Sequence, residues 1–182
     1  SKAQVLSNLR NLTLTIKNDA AINEIQRASA NNLYGNIIKS YVLDGDGEEI
    51  AKQPGKAIEP ETLLKVLNSI NIDIYNDRLS PDQASRFVRF GKVLAKALEG
   101  TDLRETEAIL NTLKTTSGRL RGKHQIKLAD ELENAVYTTK IANSQFQLPI
   151  KNDKNIEKIV DDYYVSKSSF YENYVYDFYL TI

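Results

Sequence analysis

The segment SPDQASRFVRFGKVLAKALEG, residues 80 to 100, constrains the fold more than any other stretch of the chain. Ser80 followed by Pro81 is typical of a helix start, because serine caps the first turn and proline suits its first position. Gly100 is typical of the residue after a helix. The helix predicted over 81 to 99 carries apolar residues on two sides, Ala84, Phe87, Val88, Gly91, Leu94, Ala95 and Leu98 on one and Phe90, Val93 and Ala97 on the other. We expect a helix this apolar to be central and buried on more than one side.

Similar patterns predict the other helices. Residues 2 to 17 carry apolar side chains at helical spacing, namely Val5, Leu9, Leu12 and Ile16. Asn18 or Asp19 can cap a second helix with the apolar stripe Ile22, Ile25, Ser29, Leu33 and Ile37, beside small residues that permit close approach of a neighbour. The remaining helices are expected to open at Glu59-Pro60-Glu61, to run from Thr101 to about Ser117-Gly118, to span 125 to 142, and to start at Asn152 or Asp153.

Between the second and third of these helices, residues 40 to 55 contain Gly45, Gly47 and the pair Pro54-Gly55, which oppose a continuous helix. The acidic run DGDGEE is not an EF-hand loop, because Glu49 stands where that loop needs glycine and Gly55 where it needs glutamate. We therefore predict an all-α, compact multi-helix domain of about six helices, with a small irregular or β element at 40 to 55 and an aromatic C-terminal segment.

Composition narrows the classes of function. The 182 residues have zero net charge, no cysteine and one histidine. Thiol nucleophiles, Cys-ligated metals and a two-histidine metal site within one chain are thereby excluded. No spacing of carboxylates or serines indicates a catalytic site. We predict a protein that is not an enzyme, with no metal and no cofactor.

The N-terminus lacks an apolar signal core, and no run approaches the roughly 18 apolar residues of a membrane span. A cytoplasmic protein without membrane contact is expected. The abundance of Asn, Ile and Tyr, which A/T-rich codons encode, favours a phage or low-GC bacterial origin.

The stretch SQFQLPIKND, 144 to 153, interrupts the helical pattern at Pro149 and marks the strongest boundary. We predict a helical domain over 1–143, with a C-terminal helix and aromatic segment over 144–182 packed on the same domain. The segment 168 to 182 fits a strand or a helix almost equally. It is expected either to complete the protein's own core or to bind another chain, because aromatic side chains are enriched in interface cores. The second alternative predicts an interaction or assembly protein, with a protein partner or a homo-oligomer, contacting it through Phe170, Tyr171, Tyr174, Tyr176, Phe178 and Tyr179.

Residues 114 to 127 form the one stretch in which charge is unbalanced, since no acid lies between Glu107 and Asp130. We expect a cationic loop between two helices. This loop is either solvated or binds the phosphates of a nucleic acid, and nucleic-acid binding is the alternative to an assembly function. The side chains that would contact phosphate are Lys114, Arg119, Arg121, Lys123, His124 and Lys127.

Two more specific interpretations of this region fail. The nucleotide-binding loop G-x-x-x-x-G-K-[ST] needs four residues between its glycines, but three separate Gly118 from Gly122, and His124 replaces the hydroxyl. A helix-turn-helix over 92 to 114 would present DLRETE to the duplex, where its acids repel phosphate.

Overall fold

The structure is a computed structural model that describes residues 2–45, 47–101 and 103–146. These residues form helices and connecting turns without a strand, and their only bridge of β type joins Pro54 and Ile58. The prediction of an all-α fold is confirmed. The helices in these ranges are α1 (Lys2–Asn18), α2 (Glu24–Asp44), α3 (Gly47–Ala51), α4 (Pro60–Tyr75), α5 (Pro81–Ala97), α6 (Thr106–Gly122) and α7 (Ile126–Phe146).

Helix α5 has the central position that its sequence predicts. Ser80 accepts a hydrogen bond from the Gln83 backbone, and the Gln83 side chain accepts one from the Ser80 backbone. This capping box fixes the helix start. On the first predicted side, Phe87 and Leu94 are fully buried. On the second, Phe90 is fully buried, but Val93 and Ala97 are only partly buried.

Three other helices surround α5. It contacts α2 and α3. On α7, Thr139 donates a hydrogen bond to the carbonyl of Ala95 at 2.7 Å. Gly91 lets α7 approach closely, because a Cβ atom there would lie 2.7 Å from the Leu132 side chain.

Helix α4 begins as predicted, with Glu59 capping the Thr62 backbone N–H at 3.0 Å and Pro60 in the first position. It contacts α2 and α6. Its pairing with α6 includes buried polar contacts: Asn71 accepts a hydrogen bond from the Thr116 hydroxyl and donates one to the carbonyl of Thr112 at 3.4 Å. An unpaired polar group is costly in a core, so these contacts favour one register of α4 against α6.

Helix α1 has the predicted extent but turns a different side inward. Leu6 is fully buried and Thr13 nearly so, whereas Val5 and Leu12, which the apolar spacing places in the core, are 51% and 57% exposed. The predicted inward face of α1 is therefore partly wrong.

Helix α2 differs in the same way. Its cap is Asn23, not Asn18 or Asp19, and its buried stripe is Tyr34, Ile38 and Val42. The Tyr34 hydroxyl selects this side, because it donates to the carbonyl of Ala57 at 3.0 Å and accepts from the Glu59 backbone at 3.1 Å. A hydroxyl buried there needs these partners.

The sequence predicts an irregular or β element at 40 to 55, but most of the described residues of this segment are helical. Helix α2 continues to Asp44, the five-residue α3 follows, and a turn leads to α4. Asp44 accepts a hydrogen bond from the Gln83 side chain, and Glu48 pairs with Arg89 at 3.1 Å. Gly47 is required here, because a Cβ atom would lie 2.8 Å from the Cα atom of Val42.

Helix α6 departs most from prediction. It begins at Thr106 instead of after Thr101, and it passes through Ser117-Gly118 to end at Gly122. The Ser117 hydroxyl donates to the carbonyl of Leu113 at 3.2 Å, so this serine is satisfied inside the helix. Most of the expected cationic loop is therefore helical.

The chain divides into two units, Ser1–Thr139 and Lys140–Ile182. Helix α7 extends to Phe146, beyond the predicted end at 142. The predicted helix after Asn152 or Asp153 and the segment 168 to 182 lie outside the described residues. The boundary at 144 stays a prediction.

Candidate interaction surfaces

The turn between α6 and α7 is a helix cap closed by a histidine. The His124 N–H donates to the carbonyl of Arg121, and the Gln125 N–H to that of Leu120, both at 3.0 Å. This is the Schellman pattern, in which the residue after the cap adopts a positive φ, usually as glycine. Here His124 adopts it, with φ +63°.

Helix α4 ends in the same way. The Asp77 N–H donates to the carbonyl of Ile74 at 3.2 Å, the Arg78 N–H to that of Asp73 at 2.8 Å, and Asp77 has φ +58°. The Lys123 ammonium lies 3.0 Å from the Asp77 carboxylate. An ion pair therefore joins the two caps.

Arg121, one of the predicted phosphate ligands, is instead paired within the protein. Its guanidinium contacts Asp130 and, at 3.0 Å, the carboxylate of the fully buried Glu133. Burial lowers the pKa of Arg121, but hydrogen bonds and charges from Asp130 and Glu133 outweigh it and raise the pKa above its ordinary value. We assign Arg121 a structural role.

Two other cations of the stretch lie close to the aromatic ring of Tyr75, a residue that the sequence did not predict to be part of a site. The Arg119 guanidinium carbon lies 4.6 Å and the Lys123 ammonium 5.7 Å from the ring centroid of Tyr75, which is 61% exposed. Lys114 lies 5.5 Å from the ring of Tyr137. Attraction between a cation and a ring face stabilises such contacts.

His124 and Lys127 are exposed. The predicted stretch carries five cations, and three carboxylates from Asp77, Asp130 and Glu133 pair with two of them. Counted over these named residues of the described part of the chain, positive charges exceed negative charges by two. Glu131 pairs with Lys92 on α5 at 4.0 Å instead. We call the side chains of Tyr75, Arg119, Lys123 and Lys127 the basic surface.

A second candidate surface is apolar. On α1, Val5 and Leu12 are seven residues apart and share one face. On α2, Ile25 is 78% and Leu33 58% exposed, and the small, exposed Ser29 lies between them. We call these side chains the apolar α1–α2 surface.

The predicted partner-binding aromatics, Phe170, Tyr171, Tyr174, Tyr176, Phe178 and Tyr179, lie outside the described residues. In the part of the chain that is described, no group of three or more acidic or histidine side chains has the geometry of a metal site. No helix in the same ranges combines the length and apolar character needed to cross a membrane.

Comparison of the chain with protein-family models, with curated proteins and with solved structures finds no match.

Proposed function

We propose that this chain is a non-enzymatic assembly protein that binds a second copy of itself through the apolar α1–α2 surface and the aromatic segment 168 to 182. The observation that carries the proposal is the exposure of four large apolar side chains on two helices that contact each other. Single exposed apolar residues are ordinary, whereas several on one part of a molecule are typical of an interaction surface.

The energetics support an interface. Burying one large aliphatic side chain contributes about 1.5–3 kcal/mol relative to leaving it exposed. Ile25 and Leu33 are both more than half exposed, so much of this contribution is still available to a complex. Ser29 between them leaves room for a helix to approach.

A second copy is the partner that this arrangement favours, because most oligomers of soluble proteins are formed by identical chains about a twofold axis. The same surface then serves both copies. Two helical hairpins, one from each chain, would pack as in a four-helix bundle.

Sedimentation velocity over a range of concentrations tests this proposal. The wild-type chain is expected to shift from monomer to dimer. The double variant Ile25→Gln with Leu33→Gln should raise the dissociation constant of the dimer at least tenfold. A tenfold change corresponds to about 1.4 kcal/mol, which is less than the burial of two large apolar side chains contributes. Ile72→Gln on α4 is the matched control, since Ile72 is 56% exposed. A wild-type chain that stays monomeric, or an equal effect of Ile72→Gln, would contradict the proposal.

Deleting residues 168 to 182 tests the aromatic segment. The shortened chain should keep its helical circular dichroism and lose part of its self-association. If it unfolds instead, the segment belongs to the protein's own core and has no place in the interface.

A further inference from the structure

Three members of the basic surface, Tyr75, Arg119 and Lys123, lie at the C-terminal ends of two packed helices, and their geometry follows from the register of these helices. Lys127 lies in the first turn of α7. Asn71 of α4 is hydrogen-bonded to Thr116 of α6 in the core. One turn further along each helix, Tyr75 lies against Arg119. Beyond that, the Lys123 ammonium meets Asp77. The buried amide thus fixes which cation faces the exposed ring.

Arg119 differs from Arg121 in what surrounds its charge. No carboxylate of the described residues forms an ion pair with Arg119, and its guanidinium lies over the Tyr75 ring. Stacking uses the flat face of a guanidinium and leaves the N–H donors at its edge. A side chain held in this way loses less conformational entropy when it binds an anion.

Tyr75 adds a second kind of contact. Tyr75 as a whole residue is 61% exposed, although two cations lie within 6 Å of its ring centroid. Exposed aromatic rings beside cations bind single-stranded nucleic acids, because an unpaired base can stack on the ring or on the arginine while phosphates contact the charges. In a duplex, the bases are already stacked.

We propose that the basic surface binds single-stranded nucleic acid. Arg119, Lys123 and Lys127 contact successive phosphates, and one base stacks on the Tyr75–Arg119 pair. Arg121 takes no part, because the fully buried Glu133 holds it. Lys123 differs, because its partner Asp77 has a side chain that is 77% exposed and that a phosphate can replace. The inference is independent of self-association, since it uses no residue of α1 or α2.

Fluorescence anisotropy with a labelled oligo-dT of about 16 nucleotides, the upper end of the site size of one single-strand-binding module, tests the proposal. For about three phosphate contacts, the logarithm of the association constant should fall with the logarithm of salt concentration with a slope of about −2. Arg119→Gln should reduce that slope by about 0.7. Tyr75→Leu should weaken binding by about tenfold and leave the slope unchanged.

The control is Lys17→Gln on α1, a cation that is 53% exposed and outside the basic surface; it should leave the affinity unchanged. Circular dichroism establishes that each variant is folded. A duplex of the same length should bind more weakly and should not respond to Tyr75→Leu.

Three results would overturn the proposal. The first is the absence of binding at about 50 mM salt, where phosphate contacts are strong. The second is an equal loss of oligonucleotide affinity for Lys17→Gln and Arg119→Gln, which would indicate general electrostatic attraction and no specific binding site. The third is a pair of results: low concentrations of inorganic phosphate displace the oligonucleotide, and Tyr75→Leu leaves its affinity unchanged. Together they would indicate a site for small anions.

Discussion

Replacing Arg121 by glutamine tests the assignment of this residue to the protein's own stability. The Arg121 guanidinium, 21% exposed, hydrogen-bonds the Glu133 carboxylate, which is 0% exposed, at 3.0 Å. Arg121→Gln removes this cation from the buried carboxylate. Breaking a buried ion pair from one side costs about 3–5 kcal/mol, which is a large fraction of the roughly 5–15 kcal/mol that stabilises a typical domain.

The assay is urea unfolding followed by circular dichroism. The matched control is Lys92→Gln, which removes the partner of Glu131, because both members of that pair are more than a third exposed and lie 4.0 Å apart. This control should cost less than about 1 kcal/mol. Arg121→Met combined with Glu133→Leu should cost less than Arg121→Gln, since it removes both charges.

Equal decreases in the free energy of unfolding for Arg121→Gln and Lys92→Gln would contradict the structural role of Arg121. Glu133 would then be solvated in the folded protein, and Arg121 would be as available to an external phosphate as Arg119.

Two further predictions concern a helix cap and a buried tyrosine. His124→Gly should raise the free energy of unfolding by about 0.5–1 kcal/mol, because glycine avoids the roughly 1–2 kcal/mol cost of a positive φ but loses more entropy on folding. Urea unfolding measures this change, and a decrease in stability would contradict a positive φ at His124. Burial raises the pKa of Tyr34, despite the opposing hydrogen bond from Glu59. Its stabilising contribution should therefore be complete below the unfolded pKa of about 10 and be lost as pH rises through the folded value. Thermal unfolding of the wild type and of Tyr34→Phe between neutral and alkaline pH checks this, and an alkaline loss of the same size in both would refute it.

The parts of the fold that could be predicted are those that local chemistry determines. Ser80-Pro81 and Glu59-Pro60 mark true helix starts, because a capping side chain and a proline act within one turn of the chain. The apolar residues of the segment 81 to 99 indicate a broadly buried helix, and Phe87 and Phe90, whose ring centroids lie 6.2 Å apart, are both fully buried.

The buried face of α2 could not be predicted in this way. Apolar side chains occur on two of its faces, and periodicity does not choose between Leu33 and Tyr34. The choice depends on the Tyr34 hydroxyl, which donates to the carbonyl of Ala57 and accepts from the backbone N–H of Glu59, more than 20 residues away in sequence.

The candidate sites were partly predictable. An excess of cations over residues 114 to 127 is visible in the sequence, but their roles depend on neighbours from other elements. Glu133 holds Arg121 from α7, while Tyr75 lies beside Arg119 from α4. Nothing in the sequence around Tyr75 indicates that contact, because it results from the register that Asn71 and Thr116 set.

Spin labelling tests the proposed assembly most directly, and the chain suits it because it contains no cysteine. Ser29→Cys places one label on the exposed face of α2, and Asn68→Cys places one on an exposed position of α4 as the control. Dipolar spectroscopy should then detect a well-defined distance between labels of two copies at position 29, lost on dilution and lost with Ile25→Gln and Leu33→Gln. A chain labelled at position 29 that shows no coupling between copies, or the same coupling from position 68, would contradict an interface on the apolar α1–α2 surface.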